Sequence, residues 1–213
     1  MKKFSLLSGL IAAAIFSISA VYAQEVRITP EIPFVEIELG DDFFLIERNQ
    51  DNSAVIAAAF AKTSRPCPPF CVHPMSAGEG VETVGEIELI SFLETSVQSD
   101  DGFLVDARTA NFYTAGTIPG AINLPFNLFT PTSDNPFLAP MLIQLGGQIS
   151  ASGTWDFSRS AKLMLFCNGP WCDQSPRAIR NLLLVGYPAD KLFYYRGGIQ
   201  NWLMLGLTVH VPK

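Results

Sequence analysis

The run Leu163-Met164-Leu165-Phe166-Cys167-Asn168-Gly169-Pro170-Trp171-Cys172-Asp173-Gln174-Ser175-Pro176 limits the fold of this chain more than any other stretch. Its apolar opening predicts a buried strand ending at Phe166. Ser175 is a natural N-cap and Pro176 a natural first helical residue. Arg177-Ala178-Ile179-Arg180-Asn181-Leu182-Leu183-Leu184 continues with helical character. Cys167 therefore falls at the carboxyl end of a strand, facing a helix N-terminus, which is where open α/β sheets bind ligands. The helix end and the loop N–H groups would both favour a thiolate. The plainer alternative is a buried structural cysteine that ends a strand.

Around this run, short apolar strands alternate with helical segments, which implies an α/β fold with a parallel sheet. Phe103-Leu104-Val105 reads as a strand ending in Asp106-Ala107-Arg108, Ala121 to Pro125 as a second and Leu192 to Tyr195 as a third. Thr83-Val84-Gly85-Glu86 has the form of a capping box opening a helix to about Thr95, with Ile87, Ile90 and Leu93 inward. Further helical turns are expected over 109–115, 137–145 and 199–205. Gly186-Tyr187-Pro188 ends the long helix. Residues 24–82 differ in character. Phe34 to Leu39 and Phe43 to Arg48 alternate like a hairpin around Gly40-Asp41-Asp42. Ala54 to Ala61 fits either strand or helix, and 64–80 reads as a Pro/Ser/Gly loop.

Residues 1–23 have the form of an export signal: Lys2-Lys3, an apolar stretch from Leu6 to Val21, and a small-x-small site at Val21-Tyr22-Ala23. The stretch is short for a membrane span, so the mature chain is expected in the periplasm or secreted, without stable membrane insertion. Losing Lys2 and Lys3 takes the formal charge from −6 to −8. An acidic chain with no basic cluster is a poor partner for nucleic acid. Its four cysteines form two close pairs, Cys67/Cys71 and Cys167/Cys172. Three connectivities are open in an oxidising compartment. Short loops gain little from a disulfide, so close spacing suits redox, sulfur or metal chemistry better.

From about Thr83 to Val211 the chain resembles a rhodanese (sulfurtransferase) domain. Four segments carry the resemblance, in order: Leu104 to Arg108, for a strand ending in Asp-x-Arg; Gly116-Thr117-Ile118-Pro119-Gly120-Ala121, for Gly-His-Ile-Pro-Gly-Ala; Cys167 with its loop and the Ser175 helix start; and Gly197-Gly198 with Trp202, for Gly-Gly-x-x-x-Trp. The resemblance implies a three-layer fold, a mostly parallel central sheet flanked by helices, here with an N-terminal extension. It also implies that Cys167 takes sulfane sulfur from a small donor as a persulfide and passes it to a thiol or other nucleophile, without a cofactor. Asn168, Gly169, Trp171, Gln174 and Ser175 would line that substrate site. Arg108 and Arg196 are the candidate cations, although Arg108 also suits a structural pair with Asp106, itself a loop anchor.

The chain departs from the family in its loop. Ser175 stands eight positions after Cys167 instead of six, the usual loop arginine is absent, and Asp173 would repel an anionic donor. Without that arginine, phosphatase chemistry is not expected. Cys172 could resolve a persulfide or mixed disulfide, which makes a thiol–disulfide oxidoreductase, with a periplasmic redox partner protein, the second expectation. The third is a binding module. Cys67, Cys71, His73 and Met75 offer soft copper ligands, against the simpler alternative of a Cys67–Cys71 disulfide with His73 and Met75 packed on the domain.

Overall fold

The computed structural model describes residues 25–213, so the proposed signal segment lies outside them. In chain order the elements are β1 (Phe34–Leu39), β2 (Asp42–Glu47), α1 (Ala58–Ala61), β3 (Glu82–Val84), α2 (Glu86–Phe92), a π-helical turn (Leu93–Val97), β4 (Gly102–Asp106), α3 (Ala110–Ala115) and β5 (Ala121–Asn123). A 3-10 turn (Phe126–Phe129), α4 (Leu138–Gln144), β6 (Gln148–Ile149), β7 (Trp155–Asp156), β8 (Lys162–Phe166), α5 (Gln174–Leu184), a second 3-10 turn (Ala189–Lys191), β9 (Leu192–Tyr195) and α6 (Gly198–Met204) complete the fold. No described helix is long and apolar enough to cross a membrane.

The expected α/β sheet is present: five strands in the order β3-β9-β8-β4-β5, paired in parallel throughout. Parallel sheets bury both faces, so their strands read as continuous apolar runs, and alternate side chains serve opposite layers. β8 does this directly. Met164 and Phe166 join one core with α2 and α6, while Leu163 and Leu165 join another with α4 and α5. The β1–β2 hairpin closes the first core, with Ile37 and Ile46 fully buried beside Leu89, Leu93 and Trp202. The residues before 83 are therefore built into the core, and the change of sequence character at residue 82 falls inside β3.

α5 buries Ser175, Ala178, Ile179 and Leu182, one stripe of a 3.6-residue period. It ends as expected at Gly186. Tyr187 N–H donates to the Leu182 carbonyl and Gly186 N–H to that of Leu183, both at 3.0 Å, with Gly186 at φ +90°. That is the left-handed cap glycine adopts without strain.

Three local expectations are corrected. Thr83 does not cap α2, because Glu82–Val84 pairs with β9 as the edge strand β3. The cap is Gly85, and Glu88 reaches back to accept its N–H at 3.0 Å. Ile87 is turned outward at 47 % exposure, while Ile90 and Leu93 face the core. α5 begins two residues early at Gln174, with Asp173 at the N-cap position but no side-chain capping bond, so Ser175 and Pro176 sit in its first turn. Proline is tolerated there because those N–H groups lack intrahelical partners. Ala54 to Ala61 resolves as a short helix over its last four residues.

Candidate active site

Cys167 follows the last residue of β8, the central strand of the sheet. The loop backbone is fixed by α6: Ile199 N–H donates to the Cys167 carbonyl and Gln200 N–H to that of Asn168, both at 3.0 Å. This close approach explains Gly198, which has φ +59° and whose added Cβ would strike main-chain atoms of Cys167, Asn168 and Gly169. Gly169 is similarly hemmed, since a Cβ there would meet Gln200 and Trp171.

Two groups touch the Cys167 sulfur. Ser175 Oγ donates to it at 3.1 Å, and its own S–H donates to the Cys172 carbonyl at 3.3 Å. Ser175 is thus a sulfur partner, fully buried, and does not line the cavity described below. The expectation that the helix end would make Cys167 the acidic thiol is corrected. Burial pushes its pKa well above the ordinary range, Cys172 adds to the rise, and only Ser175 acts the other way. Cys172 moves in the opposite sense, down to about 7, first because of the neighbouring Cys167 thiol and further through the N–H groups of Asn168 and Gln174. The Asn168 amide also donates toward its sulfur at 3.8 Å. The pair thus holds its first negative charge on the outer sulfur.

This ordering has a direct readout. Thiolate is the alkylating form, so iodoacetamide labelling of Cys172 should rise with pH, from about one-tenth of its maximum at pH 6 to about nine-tenths at pH 8. Cys167 should stay largely unlabelled across that range. Labelling of Cys172 that begins to rise only near pH 9 would contradict the assignment.

Neither expected cation hydrogen-bonds to a cysteine. Arg108 is 2 % exposed, and its Nε and Nη2 donate to the Asp106 carboxylate at 2.6–3.1 Å and Nη2 to the Gly116 carbonyl at 2.7 Å. Asp106 also accepts from the Arg108 N–H and from the Thr117 hydroxyl. Arg108 is therefore structural, and substrate binding is withdrawn for it. Arg196 donates to the carbonyls of His73 (2.8 Å) and Pro74 (3.2 Å).

Those carbonyls belong to a strap, residues 65–75, that lies over the cysteine loop and that no sequence signal places there. His73 N–H donates to the Pro170 carbonyl at 3.0 Å. Phe70 packs edge-on against Trp171, and the Arg65 guanidinium stacks on Trp171 at 4.1 Å. Cys67 and Cys71 form a disulfide, which takes both thiolates out of the copper candidate. His73 lies 3.9 Å from Asp173, whereas Met75 is 65 % exposed instead of packed. Among the described residues no cluster of three or more His, Cys, Asp or Glu could hold a metal. Asp173 is also not the repelling charge expected. Arg177 and Arg180 both donate to its carboxylate, at 2.7 to 2.9 Å, and its pKa is lowered although burial opposes this.

Between strap and loop lies a cavity of about 530 Å³, walled by Phe60, Phe70, Phe112, Phe126 and Trp171, with Cys172 in its lining. Asn168 and Gln174 also line it, as expected. Cys167, 2 % exposed, sits behind. A larger cleft of about 870 Å³ runs between residues 47–57 and 203–209, but it carries no cysteine and lies away from the loop. Of the two, only the smaller cavity is lined by a cysteine, Cys172.

A family model described as rhodanese-like domain matches residues 90–205, just over half of the chain. No curated protein matches by sequence. Among solved structures, the human single-domain sulfurtransferase is 26 % identical, over 58 % of this chain and 96 % of its own, with TM-score 0.39. A Rhodopseudomonas palustris protein of unknown function, described as a possible tyrosine phosphatase, is 20 % identical over 63 % of this chain and 88 % of its own, with TM-score 0.44. A thiosulfate sulfurtransferase from Pseudomonas aeruginosa is 18 % identical over 62 % of this chain and 21 % of its own, with TM-score 0.39.

Proposed function

Because the chain belongs to the rhodanese-like domain family, we propose that it is a sulfurtransferase that carries sulfane sulfur as a persulfide on Cys167. One observation carries this: a buried cysteine ends the central strand, its sulfur held by Ser175 of the following helix and next to a second, more acidic thiol. The Cys172 thiolate is the base for the step. It takes the Cys167 proton as the Cys167 sulfur attacks the outer sulfur of a donor D–S⁻. The new S–S bond forms, the D–S bond breaks, and its electron pair leaves with D. A thiolate acceptor then attacks the outer sulfur of the persulfide, and Cys167 leaves with its electrons. No electrons are gained or lost overall.

In this proposal residues 1–23 are removed and the mature protein works in the periplasm or outside the cell. The Cys67–Cys71 disulfide suits such an oxidising compartment. The test is mass spectrometry of the mature protein, reduced at Cys167 and Cys172 and then incubated with thiosulfate or inorganic polysulfide. One added sulfur on the Cys167 peptide, removed by cyanide or a thiol, is expected.

A second function draws on the contact between the two thiols, which equally suits a disulfide exchanger. There the Cys172 thiolate attacks a substrate disulfide, Cys167 resolves the mixed disulfide, and two electrons pass to the substrate. In the same experiment it would give a Cys167–Cys172 disulfide with no added sulfur.

A further inference from the structure

We propose that the cavity between strap and cysteine loop is a binding site for an aromatic organosulfur compound with an acidic group, of which an aryl thiol carrying a carboxylate is the simplest form. This rests on the sulfurtransferase proposal for the chemistry, but the binding stands on its own observations. The volume, about 530 Å³, is that of a small-molecule site. It is far larger than an inorganic sulfur donor needs, and its walls are mostly aromatic rings.

Two polar groups specify the rest of the ligand. Arg65 lines the cavity and has no carboxylate partner among the described residues; it donates from Nη2 to the Ala59 carbonyl at 2.7 Å, and its buried Nε has no partner. A buried, unpaired guanidinium donor calls for an anionic acceptor. Arg177 is not a rival for that role, because it is paired with Asp173. Asn168 also lines the cavity, is 4 % exposed, and its side-chain oxygen has no partner. It calls for a donor such as S–H. Its amide nitrogen points toward Cys172, so that donor would lie beside the reactive sulfurs. A ring body suits the aromatic walls, and an acid at the Arg65 end and a sulfur at the Asn168 end satisfy both polar groups.

As acceptor, the bound thiol passes its S–H proton from the Asn168 oxygen to the Cys172 thiolate as its sulfur attacks the outer sulfur of the Cys167 persulfide. The S–S bond breaks, Cys167 leaves as thiolate, and the ligand departs as an aryl persulfide. As donor, an aryl persulfide runs the same step in reverse.

The experiment separates binding from chemistry. The unreactive probe 4-(methylthio)benzoate is titrated calorimetrically into the wild-type protein, Arg65→Gln and Phe126→Ala, with methylthiobenzene as the uncharged control. Saturable binding is expected, weakened about tenfold or more by Arg65→Gln, by Phe126→Ala and by loss of the probe's carboxylate. No saturable binding, or equal binding by all three proteins, would overturn the site. Sulfur transfer is then compared between 4-mercaptobenzoate and mercaptoacetate as acceptors, with the aryl persulfide tested as donor. Preference for the aryl compound in one direction assigns that direction. Binding without any sulfur transfer would keep the site and overturn the sulfurtransferase function. Transfer that does not distinguish the two thiols, with no binding, would do the reverse.

Discussion

Cys167→Ser will abolish sulfur loading, lowering turnover by about a thousandfold or more, while the protein stays folded. The expected loss is of the size seen when a covalent nucleophile is removed. A hydroxyl cannot ionise at neutral pH in this buried place, and the neighbouring Cys172 serves as base and not as sulfur carrier in the proposed step. The fold should survive because serine is nearly isosteric and can keep the Ser175 and Cys172 carbonyl contacts. Cys172→Ser should behave differently. The persulfide still forms on Cys167, but the proton acceptor beside it is gone. Loading should be slow at pH 7 and recover as pH rises and Cys167 ionises unaided. Single-turnover sulfur loading against pH, read by mass, checks both variants. A Cys172→Ser protein that never loads at any pH would make Cys172 the carrier and Cys167 its support.

Asp106→Ala should be the most damaging change away from the cysteines, costing about 3–5 kcal/mol of stability. The carboxylate is fully buried and bonded to Arg108, its N–H and Thr117. Its removal leaves a guanidinium 2 % exposed with the Gly116 carbonyl as its remaining partner. For a chain of this size the melting temperature should fall by roughly 6–20 °C. Replacing Asp106 and Arg108 together by apolar residues of similar volume should cost less than Asp106→Ala alone, since no charge is then stranded. Denaturant unfolding of the wild type and the two variants measures this. A fall below about 1 kcal/mol for Asp106→Ala would mean the network is spectator.

The central sheet and the cysteine loop were legible because both rest on local signals. Apolar runs between turn residues marked β4, β8 and β9, and Gly186 marked the end of α5. The three-residue strand β3 was hidden because its pairing to β9 is remote, while Thr83 and Glu86 imitate a capping box lying two residues early. The ionisation order of the thiols was not legible either. A strand-end cysteine facing a helix N-terminus looks acidic in one dimension, but here the burial of Cys167 outweighs that effect, and the outer sulfur takes the charge. The strap was the largest omission. Its placement depends on Arg196, more than a hundred residues away in sequence, and the Phe70–Trp171 contact is made only once the strap is there. Pro66, Pro68 and Pro69 announced a loop but not what it covers. The Asp106–Arg108 pair was the reverse case, foreseen as structural from two residues apart.

The bonds that hold the strap run to main-chain atoms. Arg196 grips the carbonyls of His73 and Pro74, and the His73 N–H meets the Pro170 carbonyl. Main-chain atoms survive a change of side chain. Substitutions along 65–75 can therefore reshape the cavity wall while the anchor stays in place. Such a design lets a lineage exchange one ligand for another without rebuilding the catalytic loop, so relatives of this chain should diverge fastest at Arg65 and Phe70 and slowest at Arg196.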